Sequence, residues 1–122
     1  MDKVVKIPGP DHPITIAPFA GRVVVRANGK VVADSRHALV LQESFYPPVH
    51  YIPRRDADAA MLAASDHTTY CPYKGDCSYF SLPGDKGTDA VWSYPAPFAA
   101  VAAIKGHLAF YPNRAEIELL PD

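Results

Sequence analysis

The sequence has no excess of either charge, little cysteine and no long uninterrupted apolar run. Twelve Lys and Arg stand against 13 Asp and Glu, a formal net charge of −1 over 122 residues. So weak an overall field gives no long-range attraction to nucleic acid or to an anionic membrane, and neither is expected as a partner. The two cysteines, Cys71 and Cys77, have five residues between them. That spacing is not the two-residue gap of a thioredoxin-like pair, nor the paired knuckles of a zinc finger or ribbon. His67 with these thiols is an incomplete ligand set, so the expectation is no metal, no cofactor and two free thiols. The apolar run Ala96–Ile104 is interrupted by Pro97 and falls far below membrane-spanning length. The N-terminal Met-Asp-Lys-Val-Val-Lys-Ile-Pro is too short and too broken for a signal peptide. A soluble, cytoplasmic protein is expected. Phosphate-binding glycine loops and the Gly-x-Ser-x-Gly elbow are also missing, so no motif names a reaction.

What is present is proline, 13 of them, which argues against long helices. The length suits one domain, taken as residues 1–122, with residues 1–13 as an N-terminal arm. Four prolines fall between residues 7 and 20, and Ile14-Thr15-Ile16 among them reads as an edge strand. Asn28-Gly29, between two β-branched runs, is a hairpin signal, because both turn positions need positive φ. A two-residue loop sets Val25 opposite Val32 and Val23 opposite Asp34. Val23, Val25 and Val32 then face the core, with Asp34 at the end of that face, and Arg22, Val24 and Arg26 face away.

Leu39, Leu41 and Glu43 alternate onto one face. A carboxylate on a core-facing side is costly unless paired or hydrogen-bonded. Glu43 therefore either caps a turn or pairs with an arginine, or it is a pocket carboxylate. Val49–Ile52 reads as a short strand with Val49 and Tyr51 on one side. Asp56 as an N-cap before the alanine-rich Ala57–Ala64 predicts one short α-helix near 56–65. Arg54-Arg55 at its start reads as a solvated corner rather than an anion site. Cys77–Leu82 and Ala90–Tyr94 read as strands of a hairpin that clusters Tyr79, Trp92 and Tyr94. Pro95–Lys105 reads as a helical turn or short helix, and His107–Tyr111 with Ala115–Leu119 as a terminal hairpin. The fold class is mainly β: a compact, bent antiparallel sheet or small barrel with one short α-helix.

Chemistry concentrates in Cys71-Pro-Tyr-Lys-Gly-Asp-Cys-Ser-Tyr. Lys74 sits in a tight turn, and three roles are open to it: anion recognition, a Schiff base if desolvated, or simple solvation. Residue type favours solvation. Cys71 is either a nucleophilic thiol or a packed structural one. Tyr51, Tyr79, Trp92 and Tyr94 are either core aromatics or pocket walls.

Several fragments, in order and spanning about residues 7–118, resemble domain-of-unknown-function family 427. They are Asp11-His12-Pro13-Ile14, Val32-Ala33-Asp34-Ser35, Tyr51-Ile52-Pro53, Thr69-x-Cys71-Pro72-Tyr73-Lys74-Gly75 with Tyr79, Trp92-x-Tyr94-Pro95 and Ala109-Phe110-Tyr111. The resemblance implies a compact antiparallel β fold. It also implies that Glu43, Cys71, Lys74, Gly75, Tyr79, Trp92 and Tyr94 belong to the family pattern. Cys77 departs from it, standing where many members carry a small residue. The family is sometimes catalogued as nucleotidyltransferase-like. That chemistry calls for paired carboxylates on Mg²⁺ and a phosphate-cradling loop, and neither is visible.

Three functions follow as expectations. The first is a small polar or anionic ligand held by Lys74 and Glu43 between Tyr51, Tyr79, Trp92 and Tyr94. The second is an enzyme using Lys74, Cys71 or Glu43. The third is an interaction module, with a homo-oligomer as one form of it.

Overall fold

The computed structural model describes residues 3–122; Met1 and Asp2 of the N-terminal arm lie outside the described residues. The chain is mostly β, in three antiparallel sheets, with no closed barrel among the described residues. The first sheet has the order β1 (Ile14–Pro18), β4 (Leu39–Glu43), β5 (Val49–Tyr51). The second places β2 (Gly21–Ala27) between β10 (Glu116–Pro121) and β3 (Lys30–Ser35). The third runs β6 (Ala63–Cys71), β7 (Gly75–Ser81), β8 (Val91–Ser93), β9 (Leu108–Phe110). Edge strand β1 accommodates its closing Pro18 because an edge needs no inward amide donor. Leu108 and Ile52 exchange backbone hydrogen bonds of 2.8 Å each, stitching the third sheet to the end of the first.

The β2–β3 turn is where the sequence places it, with Asn28 at φ 54 and Gly29 at φ 77. Its register differs from the simple two-residue count. A bulge between Val25 and Arg26 sets Val25 opposite Ala33 and Val23 opposite Ser35. One extra residue on one strand reverses the facing beyond it. Asp34 therefore does not end the core face: it is exposed and forms a two-pronged pair with Arg22, at 2.8 and 2.6 Å. Val24 is buried as well, although it faces away from the core. The Arg22–Asp34 and Arg26–Glu118 pairs flank it on that outer face.

The α-helix expected near 56–65 does not form. Two single 3-10 turns, Arg54–Asp56 and Ala59–Met61, stand in its place, and β6 begins at Ala63. Alanine propensity is worth only tenths of a kcal/mol per residue, about 0 to 0.7 between ordinary residue types, so tertiary pairing overrides it. Ala63 and Ala64 pair with Ser81 and Phe80. Upstream, Asp58 N donates to Val32 O at 2.7 Å, and the Asp56 carboxylate accepts from Ser35 Oγ at 2.7 Å. These ties hold the link between the two turns, Ala57 and Asp58, extended along β3. Arg54 lies over the Phe80 ring, 4.6 Å from its centroid.

The expected terminal hairpin does not form either. β9 pairs with β8 and β10 pairs with β2, so the turn at 111–115 carries the chain between sheets. The helical turn expected within 95–105 forms at 99–104 as 3-10, kinked at Val101, with Val101 and Ile104 buried. The core divides in two. One cluster centres on Val23, Val25, Ile52, Leu108 and Phe110, the other on Leu41, Tyr51, Cys77, Tyr94 and Ile104. No helix among the described residues is long and apolar enough to cross a membrane.

Candidate functional site

The second core cluster opens onto a cavity of about 220 Å³. Its polar floor is built from two elements far apart in sequence. Glu43 ends β4 and faces inward because Leu41 two residues earlier does. Lys74 comes from the turn between β6 and β7. That turn is closed by Lys74 N on Cys71 O, held by Phe98 N on Lys74 O, and crossed by the arm through Lys6 N on Pro72 O. Held from both sides, the turn directs its lysine inward. Lys74 is 7% exposed, which overturns the solvated reading, and residue type alone carries no trace of this.

The Lys74 ammonium donates to Glu43 Oε1 at 2.5 Å. His12 Nε2 meets the other oxygen, Oε2, at 2.7 Å. Burial pushes the Glu43 carboxyl up, but hydrogen bonds from Lys74 and His12 outweigh it and hold the group below the usual carboxylate range. The His12 ring stacks on Tyr73 with centroids 4.1 Å apart and planes 9° from parallel. The residue before Lys74 thus fixes the second partner of its carboxylate. Cys71 Sγ lies 3.8 Å from Lys74 Nζ, beside the pair rather than on the cavity wall.

The wall is aromatic. Tyr79 on β7 and Trp92 on β8 are cross-strand partners, and Tyr51 comes from β5. Trp92 Nε1 donates to the Tyr51 hydroxyl at 3.2 Å, and Tyr79 shares a 2.8 Å hydrogen bond with Thr69 Oγ1. All six residues singled out as ligand-binding, Glu43, Tyr51, Lys74, Tyr79, Trp92 and Tyr94, line this one cavity. Cys77 is buried behind it, and burial pushes its thiol up. His67 packs on the Tyr79 ring at 4.5 Å. No group of three His, Cys, Asp or Glu among the described residues is placed to hold a metal ion.

A family model described as a domain of unknown function, DUF427, matches residues 15–120. The chain belongs to the DUF427 family. No curated protein matches it. Within this DUF427 chain every cavity-lining residue named above falls inside the matched span, whereas His12 lies just before it. His12 is the partner that residue-by-residue reading missed. Its only signal was membership of Asp11-His12-Pro13-Ile14, since a histidine in a proline-rich arm has no periodicity to place it. Tyr46 and Tyr111 on the wall were missed as well, both lying next to prolines in connecting segments.

Burial raises Tyr51, Tyr79 and Tyr94 above the ordinary phenol range, desolvation being the main cause for each. A raised folded-state value contributes stability that is complete below the ordinary phenol pKa of about 10 and lost as pH climbs above it. In an alkaline titration these three of the seven tyrosines are expected to ionise only as the DUF427 fold unfolds. Tyrosinate absorbance read beside circular dichroism checks this. Ionisation of all seven phenols with the dichroism unchanged contradicts it.

Proposed function

We propose that this DUF427 domain binds a small polar molecule in the cavity above Lys74 and Glu43. The observation that carries the reading is a buried, ion-paired lysine on the floor of an aromatic-walled cavity. Desolvating a charge costs several kcal/mol, roughly that much per ion even after relaxation, and a hydrophobic pair would pack this space without the penalty. Few polar groups converging inside apolar walls are the ordinary anatomy of a ligand site.

The electrostatics narrow the ligand class. Lys74 and Glu43 cancel, and Glu43 has both oxygens engaged by cationic or hydrogen-bonding partners. An ammonium has three protons. Glu43 takes one and Cys71 Sγ faces another, which leaves one for a ligand acceptor. A carbonyl or hydroxyl head suits this floor better than a strongly charged one. Glu43 is the one carboxylate on the cavity wall among the described residues, which disfavours two-carboxylate nucleotidyl transfer there.

A second reading rests on the same short contact. Lys74 with a carboxylate within hydrogen-bond reach is also the arrangement of a proton-transfer pair, with Cys71 alongside.

A metabolite screen by thermal shift tests the first reading, run on wild type and on the Lys74→Met/Glu43→Leu double variant. A ligand at one hundred times its Kd stabilises the wild type by about 2.7 kcal/mol and leaves the double variant unmoved. A broad screen with no wild-type-selective hit overturns the reading. Chemical turnover of a selective hit moves the weight to the second.

A further inference from the structure

A second cavity adjoins the first and has the opposite character. It measures about 530 Å³, and its walls are apolar, formed by Val23, Val25, Phe110, Ile117 and Leu119 from the second and third sheets. The two cavities share Tyr46, Pro47, Val49 and Trp92, so one thin wall separates polar floor from apolar chamber. Trp92 belongs to that wall with its indole nitrogen already satisfied by Tyr51, leaving its ring edge and face as apolar surface.

Two features indicate that protein alone does not fill this chamber. β10 alternates Glu116, Ile117, Glu118, Leu119, a pattern that ordinarily buries its apolar half. Here Ile117 is half-buried and Leu119 is 42% exposed, because they border open space rather than a packed partner. His50 on its wall is lowered by burial, which favours its neutral form. The Phe19 ring meets the His50 imidazole edge-on at 5.2 Å. Separately, the first cavity, at about 220 Å³, is smaller than the roughly 300–1,000 Å³ that sites for small molecules usually span.

We propose that the ligand of this domain is amphipathic, its hydrogen-bonding head on Lys74 and Glu43 and its apolar body extending past Trp92 into the second chamber. This rests on the reading of the first cavity as a binding site and adds the substrate class. The head supplies an acceptor to Lys74. The body covers the apolar side chains that β10 leaves part-exposed along the chamber, Ile117 and Leu119. The segment Ser44–Pro48 supplies Tyr46 and Pro47 to the walls of both cavities and carries the exposed Phe45 between β4 and β5.

The test is calorimetric titration of unbranched primary amides from acetamide to octanamide into three proteins. These are wild type, Lys74→Met/Glu43→Leu, and Leu119→Arg, which places a charge at the chamber rim on an already exposed residue. Affinity for the wild type is expected to tighten about three- to fourfold with each added methylene until the chamber is full. Leu119→Arg is expected to abolish that dependence while retaining the weak binding of the shortest amides. The double variant is expected to lose binding across the series. Binding that needs Lys74 and Glu43 but ignores chain length overturns the amphipathic assignment and leaves the head site standing. Chain-length dependence that survives in the double variant shows unspecific partitioning and also overturns it. Concentration-dependent dimerisation lost in Leu119→Arg, with no amide binding, assigns the chamber to a second copy of the chain. Binding by no member of the series overturns the amphipathic assignment, and the metabolite screen decides the head site separately.

Discussion

Truncating Lys74 to alanine is expected to lower the unfolding free energy by about 3 kcal/mol, the low end for breaking a buried ion pair. The loss comes less from the missing attraction than from what remains. Glu43, 18% exposed at its side chain, would keep its charge in a site built around a cation, or take up a proton at the expense of its bond to His12. Lys74→Met keeps the stem and isolates the charge from the packing. Glu43→Leu alone should cost a similar amount by stranding the ammonium. The double variant is expected within about 1 kcal/mol of wild type, because two apolar side chains fit an interior as well as a pair does. Urea unfolding of the four proteins gives the coupling directly. Coupling near zero would show that the 2.5 Å contact contributes nothing to stability. Acid adds an independent check. Because the folded-state Glu43 value is depressed, its contribution is complete above the ordinary carboxylate range and disappears as pH falls through the lowered value. Wild-type stability should therefore fall in acid more steeply than that of the double variant, which has lost this carboxylate.

Gly87→Ala is expected to cost about 3 kcal/mol or to prevent folding, although it adds one methyl group on a surface turn. A Cβ at Gly87 would stand 1.7 Å from Leu82 O, and backbone cannot yield as a side-chain tip can. The turn is closed by Leu82 N on Gly87 O at 2.8 Å, so relieving the clash breaks the bond that defines it. The consequence reaches the site. This turn sets the β7–β8 register, which places Tyr79 opposite Trp92 on the cavity wall. Gly9→Ala is the control: nothing lies within 4 Å of a Cβ there, and stability should be unchanged. Thermal unfolding of both variants, with tryptophan fluorescence reporting on Trp92, separates the outcomes. A Gly87→Ala protein as stable as Gly9→Ala would mean that the turn relaxes freely.

Both results bear on how function is built into this chain. The pair joins residues 31 positions apart, and the glycine secures a register between strands that supply two of the aromatic walls. Neither device has a local signature of the kind that marks a phosphate loop or a nucleophile elbow. The chemistry is dispersed over β4, the β6–β7 turn, β5, β7 and β8, and only folding brings it together.

Alternation and turn chemistry are short-range, and the sequence by itself determined what depends on them. Asn28-Gly29 specifies a turn because few other residues tolerate its two positive φ angles. The 2-residue period of Leu39, Leu41 and Glu43 specifies that the carboxylate faces inward, whatever lies opposite. The β7–β8 hairpin follows from two β-rich runs around an exposed proline-glycine turn. Tertiary structure decided the rest. Residues 57–64 have helical composition, yet form one 3-10 turn between extended ends, because Val32, Phe80 and Ser81 supply backbone partners that no local pattern encodes. β9 and β10 look like a hairpin, but β8 and β2 are their partners, since a short connection permits pairing without requiring it. Lys74 reads as solvated because lysine usually is, and it is buried because the arm, Phe98 and Glu43 close around its turn. Burial and charge pairing are properties of what approaches from elsewhere in the chain, so the cavity's shape and its neutral floor exist only once the three sheets have packed.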